Sequence, residues 1–296
     1  MKQENLYPDK NLSPQPKYVQ TKSLRVNQKS IIGMITTILA LLFISPYIYI
    51  ILTSFKPSSE AISPSPTFFP RELSVENYIG MFEKMPVIHY FMNSFVSAAV
   101  STILAVFLGA LAAYGLSRFS SKIGNVFLLI TLCVRMIPMI SIAIPMYMII
   151  NGIGLIDTRL ALIITYTAIN VPFAIWLMMG FFKNIPKEFD EAARIDGCNI
   201  FTAFMKVILP VSLPGLATTS IFCFMLAWND FLFALLLTST NAKTATVGIS
   251  EFLTAYNLDL GPMTAAAVSF SLPVMIFSII VQRYIVSGMT LGAVKE

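Results

Sequence analysis

Two sets of residues in this 296-residue chain could do chemistry: a charged, helix-prone island lying between apolar runs, and a few charges set inside those runs. The island reads Glu191-Ala192-Ala193-Arg194-Ile195-Asp196-Gly197 and closes at Ile208-Leu209-Pro210. Ala192 and Ala193 favour helix and let another surface approach closely. Gly197 can take the left-handed conformation that ends a helix, and Asn199 can cap the next one. Two short helices meeting at an angle make a stiff knob, whose chemistry is mechanical docking. The charges inside the apolar runs are Arg135 and Asp230. Each is costly in hydrocarbon, so they either pair across two helices or face a polar cavity separately. No catalytic residue is assigned, because no nucleophile, base and orienting group cluster. The lone histidine, His89, cannot build a metal site by itself. The chain also lacks a G-x-x-x-x-G-K-[ST] phosphate cradle, so it is not expected to hydrolyse ATP.

The elements that must carry these residues are set by composition. With 56% hydrophobic and 12% charged residues, the chain is too apolar for a soluble domain. Six segments are long enough to cross a bilayer, each needing roughly 20 residues: 31–52, 94–116, 124–150, 160–182, 213–237 and 264–286. They lack the short alternation of barrel strands. The fold class is therefore all-α, a polytopic membrane protein with six transmembrane helices. Ala105, Gly109 and Ala113 form a four-residue stripe on the second span that allows close helix packing. Residues 1–30 are polar and Pro-bearing, and read as a disordered tail. The apolar run after them is too long for a signal-peptide core and reads as an uncleaved first span. Residues 31–93 hold that span and the first outer loop, where Ser74 could cap a short helix. The core is 94–286. The tail 287–296 is polar, and the Gly288–Gly292 pair within it signals flexibility.

Charge placement gives orientation. With the N-terminus inside, the inner segments hold 14 Lys and Arg, and the outer ones hold five, Lys56, Arg71, Lys84, Arg159 and Lys243. That excess makes the first side, with both termini, cytoplasmic. The formal +5 charge thus reflects topology and contact with membrane lipid rather than nucleic acid, for which no motif is present. Cys133, Cys198 and Cys223 imply no disulfide framework.

The island resembles the EAA loop of the binding-protein-dependent ABC importer permeases. Other segments resemble their carbohydrate branch, of the maltose-permease G-subunit type: Thr53-Ser54-Phe55-Lys56, Glu76-Asn77-Tyr78, Asn93-Ser94, Ala112-Ala113-Tyr114-Gly115-Leu116-Ser117-Arg118-Phe119, Trp228-Asn229-Asp230-Phe231 and the ending Gln282-Arg283-Tyr284-Ile285-Val286-Ser287-Gly288-Met289-Thr290. The resemblance covers residues 31 to 296. It implies a permease subunit of an ATP-driven carbohydrate importer in a prokaryotic cell membrane, with oligosaccharide as the expected cargo and no cofactor in this chain. The implied partners are an ABC ATPase dimer, a second homologous permease and an extracytoplasmic sugar-binding protein. It implies that Glu191, Ala192, Ala193, Asp196, Gly197 and Pro210 belong to the ATPase-coupling loop. It also implies that Ala255, Tyr256, Asn257 and Leu258, in the outer loop 238–263, touch the binding protein. Tyr166 and Trp228 could stack on a sugar ring, and with Arg135 and Asp230 are candidates for the substrate path; interface anchoring and packing are the plainer reading of each. A peptide or amino-acid ABC permease is the alternative within the class. An ion-coupled secondary transporter would want paired broken helices with midplane acids, and a membrane enzyme a clustered site; neither pattern is visible.

Overall fold

The computed structural model describes residues 22–63, 65–118, 122–253 and 259–293. Helices account for nearly all of the regular structure. In chain order they are α1 (Lys22–Ser54), α2 (Ser58–Ala61), α3 (Glu76–Lys84), α4 (Val87–Arg118), α5 (Lys122–Met136), α6 (Met139–Gly152), α7 (Arg159–Lys183), α8 (Glu188–Ile195) and α9 (Ile200–Ala203). A π-turn (Phe204–Ile208) leads into α10 (Leu209–Val211), followed by α11 (Leu213–Trp228), α12 (Leu232–Leu237), α13 (Ala245–Ser250) and α14 (Leu260–Ala293). Two compact units divide the chain between Tyr49 and Ile50. In the first, the apolar stretch of α1 from Ile31 to Ile44 is exposed along its length. The remaining elements form the second.

Four helices are long and apolar enough to cross a membrane, and six spans result when each sharply bent pair is counted as one. The expected third span is broken: α5 and α6 meet at 95°. Pro138 is the physical reason, since it lacks the N–H that would continue α5 and forces the preceding residue out of helix. The expected fifth span, 213–237, is also discontinuous. Helix α11 stops at Trp228, and α12 restarts at Leu232. Asp230 therefore sits at a break and not within a continuous helix. Two terminal expectations are corrected as well. Helix α1 begins at Lys22, inside the stretch read as a disordered tail, while residues 1–21 lie outside the described residues. The last helix runs on to Ala293 through Gly288 and Gly292, where a flexible tail was expected. In the first outer loop, α3 starts at Glu76 with Ser74 just ahead of it. The Ser74 hydroxyl accepts from the Glu76 N–H at 3.2 Å, one residue away from the expected cap geometry.

The bundle is organised around α4 and α7, with α11 packed on both and α14 packed on α11. The small-residue stripe makes the α4–α7 contact possible. Ala105 and Ala113 are fully buried, and a Cβ added at Gly109 would lie 2.5 Å from Ala174 Cβ. Backbones this close gain dispersion along their whole length, which is the main attraction available between helices already in lipid.

Candidate functional site: a capped knob and an outer clamp

The island folds as its residue types suggest. Helix α8 carries Glu188, Asp190 and Glu191 in its first turn and Arg194 in its last, charges that suit the helix dipole at each end. It ends in a Schellman motif. The Cys198 N–H donates to the Ala193 carbonyl at 2.9 Å, and the Gly197 N–H donates to the Arg194 carbonyl at 3.1 Å. Gly197 sits at φ +84, a region glycine enters without a Cβ penalty. Asn199 then caps α9, its side-chain oxygen accepting from the Thr202 N–H at 2.8 Å. Ala193 faces inward and is buried, whereas Glu191, Ala192, Asp196, Gly197 and Pro210 are exposed. Around them Ile195 is 87% exposed and Phe201 59% exposed. The knob therefore presents an apolar tip with a charged flank, and Ala193 is its root.

What fixes the knob to the bundle was not assigned from sequence. Tyr114 and Arg118, one turn apart at the end of α4, both reach Asp190. The Tyr114 hydroxyl donates to one carboxylate oxygen of Asp190. Arg118 Nε lies 2.8 Å from the other, with only 13% and 16% of the two side chains exposed. The Arg118 Nη1 also donates to the carbonyls of Phe182, at 3.4 Å, and Ile185, at 3.1 Å, at the end of α7. Below this, the rings of Tyr114, Phe182 and Phe204 pack with centroids 5.0 to 6.3 Å apart. The knob is thus tied to α4, to α7 and to the π-turn at once. The signal in the sequence was an aromatic and a basic residue four apart at a span end, facing an acid beside the island.

The two intramembrane charges do not pair. Among the described residues the ion pairs are Lys84–Asp259, Arg118–Asp190 and Lys243–Glu251. Arg135 instead lies over the Phe173 ring, 4.9 Å from its centroid, a favourable cation–π distance. Asp230 caps the chain break: its Oδ2 accepts from the Tyr166 hydroxyl and from the Ala234 N–H, both at 3.0 Å. Its carbonyl accepts from the Thr246 hydroxyl at 2.6 Å. Tyr166 and Trp228 are each 3% exposed within one apolar core. The Trp228 Nε1–H donates to the Phe270 carbonyl at 3.1 Å. Burial of this depth leaves no face of either ring open for stacking in this conformation.

A second polar assembly lies at the far end of α4, around the 239–243 turn. Asp157, at φ +60, turns its carboxylate into a concavity of donors. The N–H groups of Ser239, Thr240, Asn241 and Ala242 and the Asn241 side-chain amide all donate to it, at 2.9 to 3.1 Å. Burial raises the Asp157 carboxyl, but these backbone N–H groups outweigh it and hold the group well below the ordinary carboxylate value. Asn93 braces the same turn. Its amide donates to the carbonyls of Asn241, at 3.0 Å, and Lys243, at 2.8 Å, while its oxygen accepts from Arg159 Nε at 2.7 Å. The Ser94 hydroxyl accepts from the Ala245 N–H at 2.8 Å, and His89 Nε2 lies 2.7 Å from the Asn241 carbonyl. Asn93-Ser94 was singled out in the sequence without a role, and Asp157 was missed. An Asp in a short polar turn between two apolar runs was the available cue. The segment Ala255–Leu258 lies outside the described residues.

Broken apolar segments packed around one long helix pair, with a capped knob at one end, are the frame on which the family of this chain can be recognised. The chain belongs to the family of binding-protein-dependent transport system inner membrane components, which matches residues 105–291. It is 37% identical over 253 residues to the trehalose transport system permease protein SugB of Mycobacterium tuberculosis, covering 84% of this chain and 92% of the relative. It is 34% identical over 275 residues to the trehalose/maltose transport system permease protein MalG of Thermococcus litoralis, covering 90% and 95%. Both relatives carry the name of permease proteins of sugar transport systems. In fold the chain is similar to a solved bacterial ABC transporter involved in import of the acidic polysaccharide alginate, with a TM-score of 0.73 and 23% identity over 89% of this chain and 98% of the other.

Proposed function

We propose that this chain is the membrane-spanning permease subunit of an ATP-driven, binding-protein-dependent importer of a carbohydrate, with an oligosaccharide as the cargo class. The observation that carries the reading is the knob: a Schellman-ended helix with an exposed apolar tip, pinned by Asp190 to the main helix pair. A surface that must push on a bundle needs both properties, a face for a partner and a stiff root. Glu191, Ala192, Asp196, Gly197 and Pro210 would meet a dimeric ATPase, with Ala193 holding the helix to the bundle. The trehalose and maltose relatives support the carbohydrate class. The excess of basic residues around the knob supports its placement in the cytoplasm with both termini. A second permease would complete the bundle, and a sugar-binding protein would deliver cargo to the opposite side, meeting the loop that carries Ala255, Tyr256, Asn257 and Leu258. Asp230 and Arg135 remain the candidates for the substrate path, whereas Tyr166 and Trp228 serve packing.

Closure of the ATPase dimer would move the knob, and the bundle would follow as a rigid body between inward- and outward-facing states. Gly197→Pro and Ala193→Asp are expected to uncouple ATP hydrolysis from uptake, or to release the ATPase, while the protein stays in the membrane. Normal uptake by both variants at normal levels would sink the assignment.

A further inference from the structure

Arg135 carries a charge that the apolar segments of this chain do not answer. Those six segments contain a single Asp or Glu, Asp230, and its carboxylate is taken up by the Tyr166 hydroxyl and the Ala234 N–H. Arg135 is half-buried, and its guanidinium is held over the Phe173 ring rather than stretched toward either membrane surface. Phe173 stands on α7 (Arg159–Lys183), about 15 Å from the Lys183 end and about 21 Å from the Arg159 end at a rise of about 1.5 Å per residue. In an apolar layer about 30 Å thick, that depth is out of reach of lipid phosphates. A cation facing hydrocarbon there is costly, so the face on which Arg135 emerges meets something polar. Aromatic rings share that face. Phe173 packs on Trp176 with centroids 6.3 Å apart and on Phe222 of α11 at 6.1 Å. Trp176 is 46% exposed and Phe222 40% exposed, so both keep open the ring surface that Tyr166 and Trp228 have lost to packing.

We infer that Arg135, Phe173, Trp176 and Phe222 form the cargo contact of this subunit, and that the cargo is an anionic saccharide of the uronate type. Its carboxylate meets Arg135 and its ring lies against the exposed aromatic faces. The inference rests on the reading of the chain as a carbohydrate permease. A guanidinium presents a planar fork of donors that fits a carboxylate through two parallel hydrogen bonds. The C–H face of a pyranose ring is apolar and suits the faces of Trp176 and Phe222. One molecule meets both demands when charge and ring are joined, as in a uronic acid. A neutral sugar would cover the rings and shut the cation away from water with no counter-charge, the costly arrangement for a buried ion. The Phe173 ring holds the guanidinium in place beforehand, so binding does not first have to order a long side chain, which is where preorganisation gains affinity.

The test uses the assembled transporter in lipid nanodiscs without nucleotide. The probes are galacturonate and glucuronate trisaccharides, their methyl esters, which carry no charge, and maltotriose. Tryptophan emission is read as the difference between the parent and a Trp176→Phe assembly, which isolates Trp176. The expected result is that a uronate trisaccharide changes this emission at a half-saturating concentration at least about tenfold below that of its ester. Arg135→Gln should raise the half-saturation of the acid about tenfold and leave that of the ester within about twofold, since only the acid uses the charge. Equal half-saturation of acid and ester in the parent would overturn the inference, as would an equal weakening of both by Arg135→Gln, or no response of Trp176 to any trisaccharide. Should Arg135→Gln release the second permease while the parent treats acid and ester alike, the counter-charge belongs to that subunit and the inference is again overturned. Should the variant fail to assemble, the acid-to-ester ratio in the parent decides by itself. A glutamate tripeptide is run in parallel. A Trp176 response to maltotriose with no preference for the acids leaves the carbohydrate reading standing and removes the anionic cargo. A response to the tripeptide and to no saccharide removes the carbohydrate reading itself.

Discussion

Removing the Asp190 carboxylate is the most direct way to ask whether the knob is a lever or an ornament. The pair with Arg118 is made at 2.8 Å, with both side chains mostly shielded. Breaking a fully buried pair costs about 3–5 kcal/mol, because the remaining charge is stranded. Here the residual 13% and 16% exposure lets water reach the survivor, so about 2–3 kcal/mol is the expectation for Asp190→Asn. Tyr114→Phe removes one donor and leaves the ion pair, so about 1–2 kcal/mol is expected. Arg118→Gln should cost at least as much as Asp190→Asn, because it also abandons the Phe182 and Ile185 carbonyls. Arg118→Lys keeps the charge but loses the planar fork that reaches those groups together. The double change Asp190→Asn with Arg118→Gln should cost less than the sum of the singles by about 1–2 kcal/mol, the sign of a direct interaction. Unfolding of the detergent-solubilised protein in a denaturant titration measures each corner of the cycle. Alongside it, the number of ATP molecules hydrolysed per sugar imported should rise in the single variants, since a loosened knob moves without carrying the bundle. Additive losses, within about 0.5 kcal/mol, together with an unchanged ATP-to-sugar ratio would refute the reasoning.

Gly197→Ala should destabilise by about 1–2 kcal/mol through its left-handed backbone alone, because an added Cβ there meets nothing within 4 Å; Gly197→Asn should cost less, and equal losses in a thermal melt would contradict the conformational cause. Gly109→Val should cost about 1–3 kcal/mol by overpacking against Ala174. Ala174→Gly should recover part of that loss, and a silent Gly109→Val would mean that α4 and α7 do not touch there. Because its folded pKa is depressed, Asp157 contributes stability that is present above the ordinary carboxylate value, 3.8, and is lost only as pH falls through the lower folded value. Protection of the 239–242 amides should accordingly persist from pH 7 to about pH 4, and a loss of protection already at pH 5 would contradict the clamp. Asp230→Asn should alter transport with little change in folded yield if this residue faces the path; equal damage to folding and transport would assign it to the α11–α12 break alone.

The sequence carried the long-range plan well and the local joints less well. Hydropathy located the apolar segments because length and composition decide that question; four appear as single long helices and up to six spans result when each bent pair counts as one. It could not show the 95° bend between α5 and α6, although Pro138 marked the place, because one proline kinks some helices and ends others. The cap residues Gly197 and Asn199 were legible because each acts on its own neighbours within the chain. Asp190, Tyr114, Arg118 and Asp157 were not, because their partners lie on other elements and nothing in local spacing names them. Arg135 and Asp230 show the same limit from the other side. Two lone charges in apolar runs left pairing and separate placement equally open to local spacing, and each found an individual solution, an aromatic face for one and a helix break for the other.

The contact between Asp190 and the end of α4 joins residues 76 positions apart, Tyr114 and Asp190. It follows that the coupling region is not a portable cassette. A hybrid permease that receives segment 183–212 from a relative, so as to accept a different ATPase, would place a foreign residue opposite Tyr114 and Arg118. Graft boundaries for such hybrids are better drawn around this three-residue contact than around the linear motif, with 112–118 travelling alongside the loop. The same rule gives a way to sort failed hybrids: those rescued by transplanting the α4 end were broken at the joint, and those not rescued were broken at the docking face.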